Sequence, residues 1–171
     1  MRANTAILIA IIAAAGCGEE PVSEGNNTTT YASITRTQGT GIEVFCHNDA
    51  VRDTAAMIDA IGAAVSGGEI ILSSNTCRID QTLNIYGKNG LSIRGQGRGT
   101  GGTGTLLEWH GKADEPMFQI CRSASGSMSN LAIMPGDGMS LFSAVDMHNY
   151  CKGAAITGND TRNWTFTGPT P

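Results

Sequence analysis

Aromatic side chains make up only 5% of the 171 residues and charged ones only 15%. Any core must therefore be built mainly from aliphatic side chains. A net charge of -4 and a pI near 5.2, without a basic patch, give no electrostatic reason to expect nucleic acid as a partner. The five cysteines form no CxxC pair, so disulfides are favoured over the competing zinc reading. The apolar run at residues 6–15 is too short to cross a bilayer as a mature helix. What is plentiful is Gly, with 23 residues, together with Thr, Ser and Asn. That composition alone would suit a flexible chain, but 40% hydrophobic residues arranged in ordered pulses argue for many short strands and many turns.

The pulses are clearest over residues 67–109: Ile70-Ile71-Leu72, Leu83-x-Ile85, Leu91-x-Ile93 and Leu106-Leu107, set between stretches of Gly, Asn, Thr and Ser. Each is too short for a helix, and two of them alternate apolar with polar residues, as a strand with one buried face does. One series of pulses runs Ile71, Ile93, Phe118, Val145, Phe166, in steps of 22, 25, 27 and 21 residues. A second runs Ile85, Leu107, Leu131, Ile156, in steps of 22, 24 and 25. Two interleaved series predict a solenoid, in which each coil buries its apolar face against the next.

The chain divides into three stretches: residues 1–16 as an export signal, 17–41 as a polar tether, and 42–171 as the folded domain. The junction Ala14-Ala15-Gly16-Cys17 resembles a bacterial lipobox, which makes Cys17 the expected lipidation site and the membrane a partner through that anchor alone. The expected location is a bacterial cell envelope, with secretion as the alternative. Four cysteines then remain in an oxidising compartment: Cys46, Cys77, Cys121 and Cys151. Three connectivities are possible. Spacing favours Cys121 with Cys151 on neighbouring rungs, and Cys46 with Cys77 tying the entry segment to the first coil.

Residues 42–45 suggest a brief strand, and residues 53–65 a helix with Asp53 as N-cap and an apolar stripe of Met57, Ile58, Ile61, Ala64 and Val65. Gly67 follows its last turn. Such a helix is placed to cover the open first rung of a solenoid.

That helix, the Gly67-Gly68-Glu69-Ile70-Ile71-Leu72 strand after it, and Leu91-Ser92-Ile93-Arg94-Gly95-Gln96-Gly97 resemble the N-terminal part of the pectate-lyase-superfamily right-handed parallel β-helix proteins, which include polygalacturonase-like enzymes and tailspike-like proteins. Met128-Ser129-Asn130-Leu131-Ala132-Ile133 is similar to a pulse that recurs in such coils. The resemblance implies an all-β fold of about four coils with an N-terminal capping helix. It departs from the family pattern at Cys46-His47-Asn48-Asp49-Ala50 and at Ser73-Ser74-Asn75-Thr76-Cys77, where Gly-Asp-Gly and Pro-Gly-x-Tyr are usual. After Phe166 no second helix follows to cover the last rung, so a truncated product or a second chain covering that end is expected.

Candidate chemistry is sparse. Asp114, Asp137 and Asp160 are 23 residues apart, and on successive coils they would form a carboxylate ladder able to hold Ca2+, an ion that lyases of the family use. Asp is also simply a good turn former. Asp146 and His148 are placed on one outward strand face with Gln119 and Arg94 beside them, as weak catalytic candidates. Inverting hydrolysis needs a second carboxylate, and none obviously joins Asp146. Arg94, Gln119 and Arg122 are the candidate contacts to an acidic sugar. His47 and His110 have no Ser or Cys partner at a suggestive spacing. The glycine run from Gly97 leads into a strand rather than a helix, so it holds no phosphate. The leading expectation is an envelope-anchored module that binds acidic polysaccharide or serves as a surface scaffold. The alternative is a pectate lyase or polygalacturonase-like enzyme, or the N-terminal fragment of one.

Overall fold

The computed structural model describes residues 34–36, 41–97, 104–148 and 161–168. In chain order these carry β1 (Ile34–Arg36), β2 (Gly41–Val44), α1 (Ala50–Ala63), β3 (Glu69–Leu72), β4 (Thr76–Ile79), β5 (Leu83–Tyr86), β6 (Ser92–Arg94), β7 (Leu106–Trp109), β8 (Phe118–Cys121), β9 (Ser127–Ser129), β10 (Ala132–Pro135), β11 (Val145–His148) and β12 (Thr165–Thr167). The protein is predominantly β, with parallel sheets and, among the described residues, a single helix.

Three sheets form, in the orders β1-β2-β3-β6-β9-β12, β4-β7-β10 and β5-β8-β11. From β3 onward the chain visits the first, second and third sheets in rotation, so each strand lies parallel to the one a full circuit earlier. Among the described strands, only β1 runs antiparallel to its neighbour. It falls in the stretch read from sequence as a tether.

The register corrects the periodicity. Ile93 pairs with Ile70 and Met128 in the first sheet, whereas Phe118 pairs with Leu83 and Val145 in the third. Ile71 stands opposite Arg94, and Phe166 opposite Met128. Leu107 belongs to the second sheet between Cys77 and Ile133, while Ile85 belongs to the third opposite Ile120. Ile156 lies outside the described residues. Among the described residues there are three sheets rather than two, and the corners differ in length, so the step between stacked strands varies. Successive inward positions of the first sheet, Ile70, Ile93, Met128 and Phe166, are 23, 35 and 38 residues apart.

Strand alternation buries one face as expected. Ile70, Leu72, Cys77, Ile79, Leu83, Ile85, Ile93, Leu107, Trp109, Phe118 and Ile120 are wholly inaccessible, each large aliphatic or aromatic side chain contributing roughly 1.5–3 kcal/mol by leaving water. Gly95 lets two coils approach. A Cβ there would lie 2.3 Å from the Asn130 carbonyl oxygen and 2.7 Å from Thr105 Cβ. At the far end Phe166, in an inward register position, is 48% exposed, and Met147 is 37% exposed.

The helix packs on β4, β5 and β2, burying Met57, Ala60, Ile61 and Ala64. Two details correct the sequence reading. Its N-cap is Asp49, whose carboxylate accepts from Arg52 N at 3.0 Å, and Ile58 and Val65 are exposed. Asp53 is instead a buried tie. Its oxygens accept the backbone N–H groups of His47 at 2.8 Å, Asp49 at 3.1 Å and Arg78 at 3.1 Å. Beside it the buried Thr54 hydroxyl accepts from Asp80 N at 2.9 Å. Asp49 and Asp53 both have the side chain of a cap, and the helix begins at the earlier one, which leaves Asp53 inside the first turn.

Candidate functional site

The alternate positions of the third sheet bring together several of the polar residues singled out from sequence. In β5, Leu83 and Ile85 point inward, so Asn84 and Tyr86 point out. Register then stacks Asn84, Gln119 and Asp146 in one column, and Tyr86, Cys121 and His148 in the next. Neighbouring members of a column are ~4.8 Å apart, the spacing of paired strands. His148 Nε2 lies 2.6 Å from Asp146 Oδ2, an exposed pair formed by side chains two residues apart on one face.

Arg122 stands at the edge of this face. Its φ of +52° turns the chain sharply after β8. Its Nη1 donates to Tyr86 Oη at 2.6 Å, and the guanidinium lies 5.5 Å from the ring centroid. The cation and the phenol therefore hold each other in place across two coils.

At the other edge of β5 the face meets α1. A groove of about 350 Å³ is lined by Ile58, Ile61 and Gly62 of the helix and by Thr82, Asn84, Tyr86 and Lys88 of the first circuit, among others. Lys88 Nζ donates to the carbonyl oxygens of Ala64 at 2.5 Å and Gly62 at 3.1 Å, satisfying the helix C-terminus. The Lys88 carbonyl accepts the buried Ser123 hydroxyl. This lysine is thus fixed from both ends.

Of the residues singled out from sequence, Gln119, Arg122, Asp146 and His148 do meet here. Arg94 does not. It lies in the first sheet, opposite Ser129, with its Nε 2.9 Å from Glu69 Oε1. The step from Ile93 to Phe118 had placed it beside Gln119, and that step crosses between sheets. Asn84, Tyr86 and Lys88 were missed. Alternation in Leu83-Asn84-Ile85-Tyr86 would have exposed the first two, but nothing local marks Lys88, whose partners precede it by 24 and 26 residues.

Asp114 and Asp137 are exposed in the corners after β7 and β10, and Asp160 lies outside the described residues. Asp114 contributes its charge to Lys112, whose ammonium pKa is raised chiefly by a hydrogen bond to Glu115, then by the Glu115 charge. Among the described residues no three His, Cys, Asp or Glu side chains are grouped to hold a metal ion. Cys46 and Cys77 are joined in a disulfide with Cα atoms 4.7 Å apart. Cys121 is also disulfide-bonded, while Cys17 and Cys151 lie outside the described residues.

Two further groupings stand elsewhere. On the second sheet Glu108 Oε2 lies 3.2 Å from Arg78 Nε and 3.4 Å from His110 Nε2. By the first sheet a groove of about 490 Å³ is lined by Glu43, Phe45, Ile71, Ser74 and Gln96 among others. Among the described residues no helix is long and apolar enough to cross a membrane. No protein-family model, no curated protein and no solved structure matches this chain.

Proposed function

We propose that this chain is a right-handed parallel β-helix module, related to the pectate-lyase superfamily in architecture, that binds acidic polysaccharide on the outward face of its third sheet. A lipid on Cys17 would hold it at a bacterial envelope, with residues before the first sheet as the tether. The rotation of the chain through three parallel sheets supports the architecture. The observation that carries the binding reading is the in-register column Asn84, Gln119, Asp146 beside Arg122. Amides and a hydroxyl-bearing ring offer hydrogen bonds to sugar hydroxyls, and the guanidinium supplies the cation that a uronate requires.

Binding without cleavage is the better fit. Asp146 is the only carboxylate among the six alternate register positions of β5, β8 and β11, of which Cys121 is buried, and glycoside hydrolysis by inversion uses two. The test is migration through gels containing polygalacturonate, with and without Ca2+, alongside an assay for new reducing ends or unsaturated products. Retarded migration without products is the expected result. Gln119→Ala and Arg122→Ala should each weaken retention at least about tenfold, equivalent to ~1.4 kcal/mol. Product formation that needs Ca2+ would favour the lyase reading, and unretarded migration would overturn the binding one.

A further inference from the structure

We infer that the groove between α1 and β5 is a terminal subsite, which receives the last uronate of a polysaccharide chain and makes the protein a reader of chain ends. This deepens the proposal for the third sheet and rests on it.

The column and the groove are one continuous surface, because Asn84 and Tyr86 belong to both. Rungs ~4.8 Å apart come close to the advance per residue of an extended pyranose chain. A polymer laid along Asp146, Gln119 and Asn84 therefore places about one sugar per rung. Beyond Asn84 the path is closed. Ile58, Ile61 and Gly62 of the helix form a wall where a further coil would otherwise continue the column. A chain reaching this wall must end there or leave the surface.

The groove has what a terminal uronate needs. An ammonium carries three N–H donors, and Lys88 spends two on the carbonyls of Gly62 and Ala64. Its third is available to a carboxylate within the groove. Those carbonyl bonds hold the charge still, so little side-chain freedom is lost on binding. Tyr86, held by Arg122, gives the sugar a ring face to rest on, and Ile58 closes the opposite side. None of this requires a change of shape in the protein.

Calorimetric titration with short and long oligogalacturonates tests the inference on the full chain. One protein per oligomer is expected whatever the oligomer's length. Modifying one of the two chain ends, by reduction or by capping, should weaken binding at least about tenfold, while the other end tolerates change. Ile58→Trp, which fills the groove without removing a hydrogen bond, should weaken binding comparably. Lys88→Gln should do so too, with its thermal midpoint measured alongside because it also loosens the helix end. Stoichiometry that rises with chain length, or indifference to both end modifications and to Ile58→Trp, overturns the terminal subsite and leaves the binding face standing. Failure of every oligomer and of the polymer to bind overturns both.

Discussion

The carboxylate of Asp53, wholly buried in the first turn of α1, accepts the backbone N–H of Arg78 in β4 at 3.1 Å across 25 residues of chain. The same side chain also accepts from His47 and Asp49, so one residue joins the entry segment, the helix and the second sheet. Asp53→Ala would leave three N–H groups without their acceptor, and the expected loss is about 3–5 kcal/mol. Asp53→Asn, keeping one oxygen, should fall between the variant and the parent. Urea unfolding at an unchanged slope measures both. A loss under about 1 kcal/mol for the alanine variant would show that water replaces the carboxylate.

The Cys46–Cys77 disulfide closes a loop over a sequence separation of 31 residues. By loop entropy it should stabilise the fold by ~3–4 kcal/mol. The double variant Cys46→Ala with Cys77→Ala should lower the urea midpoint accordingly and make that midpoint insensitive to reductant at this bond. An unchanged midpoint would mean that the Asp53 ties already hold the first circuit in place.

Gly95 and Gly62 should respond to alanine in opposite directions. A Cβ on Gly95 meets the Asn130 carbonyl oxygen and the Leu131 side chain of the next coil and Thr105 of its own, and ~1–3 kcal/mol of destabilisation is expected from overpacking. A Cβ on Gly62, inside α1, meets nothing within 4 Å, and helix propensity should add about 0.5–1 kcal/mol of stability. Thermal midpoints of the two variants check the pair. Equal and small shifts would mean that the coils at Gly95 can move apart.

Phe118 and Phe166 look alike in the sequence but stand in different sheets with different cover. Phe118 is fully buried, so Phe118→Ala should cost about 3–5 kcal/mol. Phe166 is nearly half exposed, and Phe166→Ala should cost less than about 1 kcal/mol. A large loss at Phe166, by the same unfolding measurement, would indicate a covering surface at that end.

Local patterns in the sequence marked most of the strands and the helix, but not β1, which lies in the stretch read as a tether, nor β4. Leu83-Asn84-Ile85-Tyr86 alternates, and β5 buries the first and third residues. The 3.6-residue stripe through Met57 and Ile61 faces the core. Parallel stacking was legible because no pulse could bury its apolar face alone. The pairing of Asp146 with His148 and the adjacency of Gln119 also followed from alternation once β8 and β11 were neighbours.

Which pulse lies on which was decided only in three dimensions. Corner length is free to vary, since a longer loop costs little extra entropy, and so the interval from Ile70 to Ile93 differs from that between Ile93 and Met128. Counting residues therefore linked Ile93 to Phe118 across two sheets and placed Arg94 on the wrong face. The same freedom hid the groove. Lys88 reaches the end of α1 through hydrogen bonds spanning more than twenty residues, and no pattern within either segment records the other. Composition and alternation determined that this polypeptide would form short strands with one buried face; the hydrogen-bond register between distant segments determined which side chains share a surface, because that register is set by packing of the whole stack.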